Sequence, residues 1–181
     1  MPANDFSLSL IVGGVRSGKS THGERLTLAL PGPHYYLATA QVQAGDREMQ
    51  ARVDAHKKRR GLQGWAGCVE ESFDIEGVFN NAPMGSAWLL ECLPLWLAAN
   101  AFTPDTPMQD EAWVHRRCER LLDIWRSRKL HVVAVSAESS LGLMPMDAVG
   151  RRWIDLLGRM NQTLAAQASD VWFCSCGIPM K

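Results

Sequence analysis

Gly13-Gly14-Val15-Arg16-Ser17-Gly18-Lys19-Ser20 constrains this chain more than any other stretch, because it completes the G-x-x-x-x-G-K-S pattern of a phosphate-binding loop near the N-terminus. The flanks fit the pattern. The β-branched and leucine-rich run 8–12 precedes the loop as a strand, and residues 21–30 follow as a helix-compatible stretch. Gly13 and Gly18 permit backbone angles and close approaches that a side chain blocks, so successive amide hydrogens turn inward onto phosphate oxygens. Lys19 then neutralises the outer phosphates of a bound nucleoside triphosphate, and Ser20 offers its hydroxyl to Mg²⁺. The positive end of the following helix faces the ligand. Gly14, Val15, Arg16 and Ser17 complete the nucleotide-binding set.

A length of 181 residues with 46% hydrophobic composition supports one substantial core, so a single domain over residues 1–181 is expected. Nineteen lysines and arginines against nineteen acids leave no net pull toward a polyanion, which argues against nucleic acid as a partner. The basic run 57–60 has no interleaved aromatics and reads as a solvated helix face or a binder of substrate phosphate. Five cysteines without a C-x-x-C pair indicate a reduced, cytoplasmic protein. Cys174 and Cys176, two positions apart, are expected on one side of a strand as core neighbours. No apolar run reaches membrane-spanning length, and the first residues lack the form of a secretory signal.

Along the chain, Pro31-Gly32-Pro33 stops the first helix and a second strand follows at 34–38. Residues 46–60 are charged and glycine-free, with Met49, Val53 and His56 at helical intervals, which predicts a helix. An irregular return anchored by Trp65 spans 61–67, and a helical or mixed stretch covers 72–79. A buried strand at 87–91 ends in Glu91. A helix over 93–102 carries Pro94 in its first turn, an exposed loop spans 103–110, and a long helix covers 111–128. A strand at 131–136, an irregular segment at 139–145, a helix at 149–168 and a last strand at 171–176 complete the chain. This alternation predicts a three-layer α/β P-loop NTPase fold with a RecA-like, mostly parallel sheet and flanking helices. Most of the seven tryptophans are expected in the core or an interface.

Glu91 follows an apolar strand, where a second acidic contact to a metal or its water shell is expected. Glu138, just past the 131–136 strand, lies at the same edge of the predicted sheet, where ligands of open α/β folds collect. By spacing alone His56, beside Lys57, Lys58 and Arg59, is a surface or partly buried helical histidine.

Wider motifs narrow the reading. Gly13-Gly14-x-Arg16-Ser17-Gly18-Lys19-Ser20 is joined by Tyr36-Leu37-Ala38-Thr39-Ala40 and by Asp46-x-Glu48-Met49-x-x-Arg52-x-x-x-His56. Further on come Glu91-Cys92-Leu93-x-Leu95-Trp96-Leu97-Ala98-x-Asn100 and Gly158-Arg159-x-Asn161-Gln162. In these features, from residue 8 to residue 178, the chain resembles the bifunctional adenosylcobinamide kinase and adenosylcobinamide-phosphate guanylyltransferase family of cobalamin biosynthesis.

The resemblance implies that adenosylcobinamide is phosphorylated with ATP or GTP, and that GMP is then transferred from GTP to the phosphate through a histidine. It implies His56 as that nucleophile, with Arg52, Lys57 or Lys58 stabilising phosphate charge, and Lys19, Ser20, Mg²⁺ and Glu91 as the triphosphate machinery. A corrinoid acceptor and a homotrimer are implied in the same way. The chain departs from the family's common Asn-Glu-Val-Gly-x-Gly-like segment, reading Ala137-Glu138-Ser139-Ser140-Leu141-Gly142. That change bears on acceptor contacts. The residues alone leave two alternatives open, a single-activity P-loop kinase of small molecules and a nucleotide-controlled binding or assembly protein.

Overall fold

Short apolar runs that bury both faces form the middle of a seven-stranded sheet, and the more polar segments form its edges. A computed structural model describes residues 6–41, 45–61, 64–102 and 108–181, leaving out the side chains of Met49, Arg52, Ala55, His56, Arg59 and Arg60. The order of elements is β1 (Ser7–Gly13), α1 (Lys19–Leu28), β2 (His34–Ala38), α2 (Arg47–Arg60), β3 (Gly67–Glu70), α3 (Ile75–Asn80) and β4 (Ala87–Glu91). There follow α4 (Leu93–Ala101), α5 (Glu111–Ser127), β5 (His131–Val135), α6 (Ala148–Ala165), β6 (Asp170–Ser175) and β7 (Ile178–Met180).

The strands lie in the order β3-β2-β4-β5-β1-β6-β7, all parallel except β7, which turns back antiparallel on β6. Alternation along the central strands divides the interior. Trp88 and Leu90 of β4, with Val132 and Ala134 of β5, face the large core that Phe79, Trp96, Leu121, Trp125, Leu157 and Met160 close from the helices. Leu89, Val133 and Val135 point to the opposite face, where they meet Ile11, Tyr36 and Cys174. Phe79 stands edge-on to both Trp88 and Trp125, with ring centroids 5.4 and 5.5 Å apart, which ties α3, α5 and the sheet together.

Three helices start on the same device. Asp74, Asp110 and Asp147 accept hydrogen bonds from the amides of Gly77, Trp113 and Gly150 at 2.8, 2.8 and 2.7 Å, which fixes where α3, α5 and α6 begin. The 72–79 stretch thus becomes helical only from Ile75.

Two strands were not expected from the sequence. β3 has four residues and β7 three, both alternate between intermediate and exposed positions, and neither carries an apolar run that marks a buried strand. β7 also revises the cysteine expectation. Cys174 is buried, but Cys176 is exposed in the reversal between β6 and β7 with φ 51°, so the two are not core neighbours. Much of the predicted 103–110 loop lies outside the described residues.

α1 is joined to β6 through His22, whose ring meets Trp172 edge-on at a centroid distance of 4.8 Å and whose Nδ1 lies 3.0 Å from Arg25 Nη2. Burial, and then the Arg25 charge, hold the His22 pKa below its ordinary value. Folding therefore favours the neutral ring. Its contribution to stability is full above the unfolded value of 6.5 and is lost as pH falls through the lower folded value. Thermal unfolding between pH 7.5 and 5 is expected to show a steeper loss of Tm for the native protein than for His22→Gln. Identical slopes for the two proteins would contradict this origin.

Candidate nucleotide site

The loop leaves β1 at Gly13 and enters α1 at Lys19, and its glycines do different work. A Cβ on Gly13 would lie 2.5 Å from the Cys174 carbonyl oxygen and 2.7 Å from Ser17 Oγ, so the loop's first residue must be bare to pass β6. Gly18 sits at φ 91°, and a Cβ there would approach Gly177 Cα to 3.0 Å. The Gly177 amide donates to the Ser17 carbonyl at 3.0 Å, so the β6–β7 turn backs the loop from behind. Gly14 has open space where a Cβ would stand.

Lys19 folds over this loop, its Nζ donating to the Gly14 carbonyl at 2.9 Å. That contact holds the ammonium on the loop, where the outer phosphates of a triphosphate would lie. Ser20 Oγ donates to Glu91 Oε1 at 2.7 Å across 71 positions of sequence. The pairing of Glu91 with Ala38 in β2 and Val135 in β5 carries the carboxylate to the sheet edge from which the loop also emerges. A hydroxyl and a carboxylate in contact are hard oxygen donors that suit Mg²⁺, which commonly takes only one or two protein ligands and completes its shell with phosphates and water. No cluster of three or more His, Cys, Asp or Glu able to hold a metal occurs among the described residues.

Cys92, next to Glu91, is a free cysteine. Burial, and then the Glu91 carboxylate, push its thiol pKa up to about 12, so it stays protonated.

Glu138 reaches the same edge, with its amide donating to the Gly13 carbonyl at 3.1 Å. Its carboxylate is turned onto its own loop, accepting from the Ser140 amide at 2.7 Å and from the Ser140 hydroxyl. Asn161 of α6 fixes the base of this segment: its Oδ1 accepts from Ser136 Oγ at 2.6 Å and its Nδ2 donates to the Ala137 carbonyl at 3.1 Å. Spacing alone gave no reason to connect Asn161 with residues 25 positions earlier. A cleft of about 380 Å³ opens beside the loop, lined by Val15, Arg16, Glu138, Leu141, Phe173 and Cys176 among others.

His56 and Arg52 lie on α2, with side chains outside the described residues. Lys57 pairs with Glu70 at 2.8 Å, which joins α2 to the end of β3 by a half-exposed ion pair. Gly13, Lys19, Ser20, Glu91 and Glu138 are thus gathered at one edge, and Lys57 is engaged at the edge strand.

Comparison with known proteins places these features in a wider set. Residues 9–181 match the family model described as cobinamide kinase / cobinamide phosphate guanyltransferase. A bifunctional adenosylcobalamin biosynthesis protein of Pseudomonas aeruginosa is 35% identical over 172 residues, covering 94% of each chain. A protein of the same description from Salmonella typhimurium is 33% identical over 180 residues, covering 95% of this chain and 97% of its own. Among solved structures, an ATPase domain shares the fold with a TM-score of 0.56 at 10% identity, covering 94% of this chain and 69% of its own.

The unequal surroundings of the glycines predict unequal consequences. Gly13→Ala is expected to lower Tm by about 5–10 °C, because a backbone carbonyl rather than a flexible side chain opposes the new Cβ. Gly14→Ala is expected to stay within about 2 °C of the native protein. Equal shifts in a thermal melt would show that the β6 backbone does not constrain the loop.

Proposed function

The chain belongs to the cobinamide kinase / cobinamide phosphate guanyltransferase family and is a bifunctional adenosylcobinamide kinase and guanylyltransferase, and from that premise we propose how its residues divide the two reactions. A corrinoid is the acceptor, and ATP and GTP are the donors. The observation that carries the assignment of residues is the Ser20–Glu91 contact of 2.7 Å at the mouth of an intact phosphate loop.

In the kinase step the acceptor hydroxyl attacks the γ-phosphorus, the bond to the bridging oxygen breaks, and the nucleoside diphosphate leaves. The amides of residues 13–18 and the Lys19 ammonium hold the triphosphate and offset the charge that collects on its oxygens. Ser20 and Glu91 would hold Mg²⁺, which would supply further neutralisation of the outer phosphates. Direct transfer to a hydroxyl requires no protein nucleophile.

The guanylyl step uses His56. A neutral imidazole nitrogen forms a bond to the GTP α-phosphorus as pyrophosphate departs, giving a histidine-GMP phosphoramidate. An oxygen of the corrinoid phosphate then attacks the same phosphorus, the N–P bond breaks, and adenosylcobinamide-GDP is released with the imidazole restored. Arg52 and Lys58, on the same helix as His56, supply positive charge that attracts the phosphates of GTP. One loop holds the triphosphate in both reactions, while the phosphorus under attack changes. Glu138 and the exposed Leu141 line the cleft beside the loop, where an acceptor would reach the phosphates. The family resemblance supports a homotrimer. The five free cysteines fit a cytoplasmic setting, and no helix among the described residues is long and apolar enough to cross a membrane.

Intact-mass measurement after incubation with Mg²⁺ and GTP is expected to show one covalent GMP on the native chain and none on His56→Ala. Absence of the adduct despite demonstrated GTP binding would leave a kinase without the guanylyl half. Lys19→Ala is expected to weaken triphosphate binding about 10- to 100-fold, the range of a lost charge-assisted contact, and unchanged affinity would remove Lys19 from the site.

A further inference from the structure

Thr39 lies just past the end of β2, is 1% exposed, and is tied to the end of β4 at three points. Its amide donates to the Glu91 carbonyl at 2.8 Å. Its hydroxyl donates to the Cys92 carbonyl at 2.7 Å and accepts from the Cys92 amide at 2.8 Å. One side chain therefore occupies both backbone groups of the residue that follows Glu91. Only a group that donates and accepts at a single atom can do this, and among side chains of threonine's size and shape valine cannot.

Cys92 is also the residue from which α4 starts, and its own side chain makes no capping bond there. The chain must leave the strand, enter α4 and still present the Glu91 carboxylate to Ser20, all within two residues. Ser20 belongs to α1, so the Ser20–Glu91 contact depends on the position of the β4 terminus relative to the loop.

We propose that Thr39 is a positioning residue for the nucleotide site, acting through Glu91. It fixes the Glu91–Cys92 backbone so that the carboxylate stays against Ser20 during transfer. This rests on the reading that Glu91 acts on the triphosphate with its metal ion.

The test measures steady-state kinase turnover and Mg²⁺ dependence for Thr39→Val, Thr39→Ser, Glu91→Gln and the double variant Thr39→Val/Glu91→Gln, with thermal melts alongside. Thr39→Val is expected to lower kcat about tenfold and to raise the Mg²⁺ concentration needed for half-maximal rate, with little change in the KM for the corrinoid. Thr39→Ser, which keeps the hydroxyl, is expected to stay within about threefold of the native kcat. In the Glu91→Gln background, Thr39→Val is expected to add less than about twofold, because the group it positions has already lost its charge. An effect of Thr39→Val that is as large without the Glu91 carboxylate as with it would overturn the proposal, as would native kcat and Mg²⁺ dependence in Thr39→Val. If the valine variant does not fold, the same coupling is read with Thr39→Ala. Native turnover in Glu91→Gln would instead overturn the metal role of Glu91, a failure separate from that of Thr39.

Discussion

The hydrogen bond from Ser20 Oγ to Glu91 Oε1 spans the crevice between a helix and a strand that are not adjacent in sequence, and the chemistry proposed for the site depends on it. It brings together a hydroxyl and a carboxylate suited to a divalent cation beside the loop proposed to receive the phosphates. The contact exists because β1 and β4 flank β5 in a parallel sheet, so both strands end at the same edge. An antiparallel neighbour would have carried the acid to the opposite end of the molecule. The buried alternation of β4 and β5, which fills two cores at once, holds that register against slippage.

Around this contact the backbone is fixed from several directions. The β6–β7 turn supports the loop from behind, Thr39 fastens the end of β4, and Asn161 fastens the segment after β5. The turn does so with a main-chain amide, and Thr39 and Asn161 use small polar side chains to satisfy main-chain groups where strands give way to loops, the place at which ladder hydrogen bonds run out. The result is a hydrogen-bonded edge that carries both Lys19 and Glu91. Glu138 contrasts with Glu91: it reaches the same edge, but its carboxylate closes a local turn with Ser140.

The loop, β4 and its terminal acid were legible in the sequence because chemistry and burial restrict those residues at once. Only glycine tolerates the approach of Gly13 to Cys174, and only an apolar run survives between two cores. β3 and β7 were not legible, because short edge strands bury too little to leave a pattern. Cys176 misled for a related reason: the strand ends at Ser175, and the alternation that paired it with Cys174 stops one residue too soon. The clamps made by Thr39 and Asn161 join residues 53 and 25 positions apart, and no local periodicity encodes such contacts. The role proposed for His56 rests on the motif around it and on family membership, since spacing alone marks an ordinary helical histidine.

We propose that one triphosphate site serves both transfers. It is tested most directly by equilibrium binding of non-hydrolysable ATP and GTP analogues in the presence of Mg²⁺, each titrated alone and then against the other. One analogue bound per chain, with each displacing the other competitively, is the predicted result. Two analogues bound per chain without mutual displacement would contradict it and would require a second triphosphate site apart from the loop of Lys19.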